Sequence, residues 1–130
     1  MASRRHSFAD ATEQIIGCCI EVHRNLGPAF QEVVYQRALA KELMKVGLDF
    51  AREEKVPIYY KGEQIDTRRV DFVIKGIIVE LKAKAELTAQ DFIQTLCYLK
   101  ASGFHTALLV NFGGKRVEVK RIVLSQGKIA

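Results

Sequence analysis

The chain has little of what would mark a secreted, zinc-bound or membrane-spanning protein. Its three cysteines, Cys18, Cys19 and Cys97, are odd in number and lack C-x-x-C spacing, which argues against both a disulfide framework and a zinc site. Cys18 and Cys19 fall in an apolar helical stretch and read as small core residues. The three histidines, His6, His23 and His105, show no ligand spacing. No apolar run approaches about 18 residues, and the N-terminal stretch lacks the apolar core of a signal peptide. The expectation is a soluble, cytoplasmic protein with no membrane role. Internal repeats, low-complexity tracts and interdomain linkers are also missing, so residues 1–130 are expected to form a single domain around one core.

What is present is ordinary globular composition, 48% hydrophobic and 27% charged, which excludes intrinsic disorder. The formal net charge of +5 makes an anionic partner plausible. The basic residues are scattered, as Arg4-Arg5, Arg68-Arg69, Lys82 with Lys84, Lys115-Arg116 and Lys120-Arg121, and none of these is long enough to be a basic tail.

Periodicity predicts a first helix over residues 8–25, with Ile15, Cys19, Val22 and Leu26 on one face. Gly27-Pro28 breaks it, and a second helix is expected from Pro28 to Val46, stopping at Gly47. Its inner stripe reads Glu32, Tyr35, Leu39, Leu43 and Val46. A carboxylate heading a core-facing row needs a cation, a metal or water, unless a small rotation leaves Glu32 at the wet margin. From residue 50 the pattern becomes strand-like: Ala51–Tyr60, Ile65–Ile74 and Ile77–Ala83, with Pro57 marking an edge or a bulge. Helix returns over Thr88–Ser102, with Thr88 as N-cap, Asp91 three residues on and Gly103 as the stop. Phe92, Leu96 and Leu99 form its apolar face; Asp91, Gln94 and Tyr98 form a polar-aromatic one. Strands at His105–Phe112 and Arg116–Leu124 complete the order ααβββαββ, an α/β fold with a mixed sheet flanked by helices.

Charges stand inside the central strands. Lys75-Gly76 reads as a two-residue hairpin turn, which places Asp71 opposite Glu80. Ile78, Glu80 and Lys82 then share one face of the third strand, and Ile77, Val79 and Leu81 the other. Carboxylates about 5 Å apart across a ladder repel and destabilise a sheet. A divalent cation between them removes the conflict, and Lys82 beyond the second carboxylate completes an arrangement suited to phosphodiester chemistry. The alternative is ordinary ion pairing with Arg68, Arg69 or Lys82 on a solvated face.

Asp71 followed by Glu80-Leu81-Lys82 resembles the D…ExK signature of the PD-(D/E)XK nuclease superfamily. The wider pattern resembles its small GxxExxY branch. It includes His23 to Tyr35 with Glu32, Arg69 to Phe72, Ile78 to Ala83, Gln94 to Ala101, Leu108 to Gly113, and Lys120 to Val123. Three positions depart from the pattern: Ala29 stands at the first glycine of the branch's name, Val70 where the superfamily's proline precedes the aspartate, and Asp91 where a histidine is often found. The resemblance implies a restriction-endonuclease-like core and a Mg²⁺- or Mn²⁺-dependent nuclease acting on nucleic acid, DNA ahead of RNA. It implies metal ligation by Asp71, Glu80, the Leu81 carbonyl and, directly or through water, Glu32. Lys82 would orient or deprotonate the attacking water and offset transition-state charge, Gln94 would contact the phosphate or the metal's water, and Tyr98 would position Gln94 or pack in the core. Arg68, Arg69 and Lys84, with Lys120-Arg121, are candidates for substrate phosphate contact. A homodimer or a partner protein is compatible with this, as is a non-catalytic nucleic-acid-binding module or a subunit of a repair or defence complex.

Overall fold

The computed structural model describes residues 8–124; Arg4, Arg5 and His6 lie outside them. Helix α1 spans Phe8–Leu26 and α2 Glu32–Lys45, followed by strands β1 (Ala51–Tyr60), β2 (Glu63–Ile74) and β3 (Ile77–Lys82). Helix α3 (Ala89–Ser102), β4 (Thr106–Asn111) and β5 (Glu118–Val123) complete the expected order ααβββαββ. The strands form one mixed sheet in the order β1-β2-β3-β4-β5. Among the described residues, only β3 and β4 are parallel, because α3 carries the chain back between them; the other neighbours are antiparallel.

Alternation along β3 divides the core. Ile77, Val79 and Leu81 pack with α1 and α2, while Ile78 packs with Leu99 of α3 on the opposite face. Strands covered on both faces read as continuous apolar runs, and β3 and β4 do so because they are central. β1 is an edge strand with a register shift at Ile58/Tyr59, so Pro57 marks an edge and adjoins an irregularity as well. Among the described residues, no helix is long and apolar enough to cross a membrane.

Helix α1 buries Ile15, Cys19 and Val22 on the expected face, with Cys18 beside them. It ends where Gly27 takes a φ of +75° and donates its N–H to the His23 carbonyl. Helix α2 begins at Glu32, not at Pro28. The hydroxyl of Tyr35 donates to the Gly27 carbonyl and accepts the Phe30 N–H, which holds residues 27–31 as a loop against the helix. Its inner stripe is also rotated from the expected one. Tyr35, Leu39 and Leu43 are buried, but Gln36 and Ala40 join them while Glu32 and Val46 are exposed. Packing against α1 on one side and the sheet on the other demands this two-residue-wide stripe.

Helix α3 has the Thr88/Asp91 capping box and ends at left-handed Gly103. Its buried face is Asp91, Thr95, Leu99 and Ser102, whereas Phe92 is 42% exposed. The expected Phe92/Leu96/Leu99 face is therefore turned by about one residue. The cap, the Lys84–Asp91 ion pair and the Thr95 hydroxyl bonded to the Asp91 carbonyl make a polar inner row acceptable.

Gly113, just past β4, lies so close to the segment leaving β3 that a Cβ there would stand 2.2 Å from the Lys84 carbonyl oxygen and 2.4 Å from its nitrogen. Backbone cannot yield as a flexible side chain does. Gly113→Ala should therefore cost about 1–3 kcal/mol, the usual range for overpacking. Urea unfolding should show a lower midpoint at unchanged slope; wild-type stability would mean that the two backbones separate freely at this point.

Candidate active site

The two-residue turn Lys75-Gly76, with both φ values positive, sets the register Ile74–Ile77, Val73–Ile78 and Phe72–Val79. This is the register the sequence predicts. Ladder pairing between β2 and β3 stops at Phe72–Val79, one step before Asp71 and Glu80. There the Asp71 carboxylate replaces a backbone carbonyl: its Oδ2 accepts the Leu81 N–H at 2.8 Å. On the other side of Asp71 the β1–β2 ladder skips Glu53, whose φ of +52° is left-handed. Val70 packs towards α3 and Phe72 towards α1 and α2, although residues two apart on a regular strand share a face. β2 thus reverses its faces at Asp71 as it peels away from β3. The cleft opens at that point.

Glu32, Gln36, Asp71, Glu80, Leu81 and Lys82 line this cleft, about 350 Å³ in volume, and Glu53, Arg68, Arg69 and Val70 complete its wall. Gln36 donates to Asp71 Oδ1 at 2.8 Å and accepts from Arg52 Nε at 3.1 Å. With Leu81 holding the other carboxylate oxygen, Asp71 is fixed at both ends. Glu80 is only 7% exposed, and Arg68 Nη2 donates to its Oε2 at 3.2 Å. The Arg68 guanidinium lies over the Tyr98 ring, 4.3 Å from its centroid. Arg69 reaches Glu53 at 3.6 Å.

Burial, and then the negative charge of Asp71, push the Glu80 carboxyl up to about 7; Arg68 and Lys82 pull the other way without prevailing. Desolvation also raises the Glu32 carboxyl, opposed by Lys82 and Lys84. These carboxylates repel one another in a half-dry cleft, the environment in which a hard cation gains most. Asp71, Glu80 and the Leu81 carbonyl are all-oxygen donors and fit Mg²⁺ or Mn²⁺ by ligand chemistry. Both carboxylates retain lone pairs beyond the hydrogen bonds they accept. Among the described residues, no three acidic, histidine or cysteine side chains already converge at ligation distance.

Of the residues singled out from sequence, Glu32, Asp71, Glu80, Leu81, Lys82, Arg68 and Arg69 come together in the cleft, and Tyr98 adjoins it through Arg68. Lys84 and Gln94 are not among the lining residues. Lys84 Nζ pairs with Asp91 at 2.7 Å, and Gln94 is exposed on α3. Asp91 has a structural task at its unusual position: burial raises its carboxyl, but hydrogen bonds from Lys84 and Thr88 outweigh this and hold it at about 2. Ala29 does not take a positive φ, so the missing glycine leaves no strain. Sequence reasoning missed Gln36, Arg52 and Glu53. Gln36 had a signal, since it stands four residues after Glu32 and so on the same side of α2.

The model of the PD-(D/E)XK nuclease superfamily matches residues 9–122. No curated protein matches the chain. A solved structure described as "Crystal structure of SSO0001" is similar over 97% of this chain and 72% of its own, with 14% identity and a TM-score of 0.45. Matched from α1 into β5, the chain belongs to the PD-(D/E)XK nuclease superfamily.

Proposed function

We propose that this protein is a metal-dependent nuclease of the GxxExxY branch that hydrolyses phosphodiester bonds, in DNA ahead of RNA. The observation that carries this reading is the meeting of Asp71, Glu80 and Lys82 in one cleft, with Arg68 and Arg69 in its wall. A nuclease needs that combination of anionic ligands for a cation and cationic contacts for a phosphate. The superfamily generally uses divalent metal ions. A bound Mg²⁺ or Mn²⁺ would supply Lewis-acid polarisation of the phosphoryl group and neutralise its charge.

The chain's own residues do the rest. Asp71 and Glu80 would hold the cation with the Leu81 carbonyl, and Glu32 would join from α2, directly or through water. Gln36 keeps Asp71 in one rotamer, so the ligand set is organised before binding. Lys82 orients or deprotonates the attacking water and offsets the charge that develops on the phosphoryl oxygens. Arg68 and Arg69 contact substrate phosphate, and the Tyr98 ring supports Arg68. Gln94, exposed one turn before Tyr98, contributes on the substrate side. Lys84 assists through charge while its ammonium remains on Asp91.

One observation favours a second reading. Glu80 is already paired with a protein cation, Arg68, as it would be in a binding module that had lost catalysis. Purified protein with Mn²⁺ or Mg²⁺ and supercoiled plasmid, linear duplex, single-stranded DNA or RNA separates the two. Nicking or degradation that EDTA stops is the expected result. Binding without cleavage of any of these would favour the non-catalytic module.

A further inference from the structure

A second cleft, about 310 Å³ in volume, lies between the end of α1 and the loop joining β4 to β5. Its wall is Ile20, His23, Arg24, Lys115, Arg116 and Val117, without a carboxylate among them. The acidic cleft has the opposite balance, with four carboxylates in its wall. Ile20 and Val117 give the second cleft an apolar floor beneath two guanidinium groups and one ammonium group. One of these, Arg24, pairs with Glu21, but its side chain is 70% exposed. Such surface pairs contribute little and leave guanidinium donors free for another anion.

The position of this cleft is set by the same contacts that set Lys82. His23 stacks on Phe112 with ring centroids 6.5 Å apart, and its Nε2 meets the Gly114 carbonyl at 2.9 Å, which ties α1 to the loop. Phe112 donates its N–H to the Lys82 carbonyl at 2.9 Å. Asn111, paired with Lys82 across the parallel ladder, bonds the Lys84 N–H and carbonyl, each at 2.9 Å. The Lys115-Arg116 loop is therefore stitched to the end of the strand that carries Lys82. Cations on these two neighbouring segments suit successive phosphates of one polyanion better than unrelated small ligands.

We propose that Arg24, Lys115 and Arg116, anchored by His23, form a second phosphate-binding surface that holds the flanking sugar–phosphate backbone of the nucleic acid engaged at the acidic cleft. This rests on the nuclease reading and assigns the direction in which substrate leaves the site. Arginine forks match phosphate oxygens, and the apolar floor accommodates lysine and arginine stems and sugar rings. The surface uses no metal, so its contribution survives chelation.

The test is the affinity of labelled duplex DNA in EDTA across a salt series, for wild type and for Lys115→Ala with Arg116→Ala. The slope of log affinity against log salt should become shallower by about 0.9 for each phosphate that the variant no longer neutralises. The thermal midpoint should be unchanged, because both side chains are exposed. Lys115→Glu with Arg116→Glu should weaken binding further. Equal affinity and slope in wild type and the alanine pair would overturn the proposal, while cleavage in Mn²⁺ would leave the nuclease reading standing. So would the absence of wild-type binding at about 50 mM salt in EDTA. Equal competition by an acidic polypeptide of matched charge would overturn the assignment to nucleic acid. Loss of both binding and cleavage in wild type would remove the nuclease reading as well.

Discussion

Lys82→Ala should lower the rate of DNA cleavage by about 10²–10⁴-fold while leaving the protein folded and still able to bind Mn²⁺ and DNA. The magnitude is that of losing a positioned general base or a charge-stabilising donor. Fold and chemistry separate cleanly at this residue. Its backbone pairs with Asn111 and accepts the Phe112 N–H, interactions that do not need the side chain. The ammonium faces the cleft, where it is one of the two cations opposing the rise of the Glu80 carboxyl. Removing it takes a competitor away from the carboxylates, so cation affinity should be equal or higher. Single-turnover cleavage at saturating Mn²⁺, with calorimetric titration of the metal, checks both halves. Cleavage that persists in the variant at the wild-type rate would leave Lys82 without a catalytic role.

The second large effect concerns the carboxylates. Mn²⁺ at a hundredfold excess over its Kd should stabilise the native protein by roughly 2.7 kcal/mol through mass action, a shift of several degrees in Tm. Asp71→Asn with Glu80→Gln should abolish that shift. Without metal the balance reverses, because Glu80 is strained by its own charge. Its folded-state pKa of about 7 lies above the ordinary 4.5. The associated stability is therefore fully present below about pH 4.5 and is lost as pH rises through about 7. A shift of that size corresponds to something on the order of 3 kcal/mol. Metal-free Glu80→Gln should match or exceed wild type above neutral pH and lack this part of the pH dependence. Denaturant midpoints from pH 4 to 8, with EDTA and with Mn²⁺, measure both effects. A metal response retained in the double variant would move the cation elsewhere.

The Asp71 region also shows where local and tertiary information divide. Turn chemistry at Lys75-Gly76 and apolar alternation in β3 are local, so the sequence by itself determined the β2–β3 register, the element order and the faces of Ile77 to Leu81. The cap and stop of α3 were equally legible, since Thr88, Asp91 and Gly103 act within a few residues of one another or of the helix end. Asp71 and Glu80 were readable too, because carboxylates in apolar strands conflict with the strands' propensity and so stand out, whereas Glu53 on β1 gave no such signal.

Only the tertiary structure decided which faces the helices bury. Gln36 replaces Glu32 on the inner row of α2 because Asp71 and Arg52, distant in sequence, give its amide partners. Asp91 turns inward on α3 because Lys84 meets it there, which holds Lys84 away from the acidic cleft. The reversal of β2 at Asp71 is likewise invisible in its period, since it arises where two ladders end on opposite sides of one residue. Periodicity records which residues are apolar. The partners that satisfy a buried amide or carboxylate come from other elements, and only packing brings them within hydrogen-bonding distance.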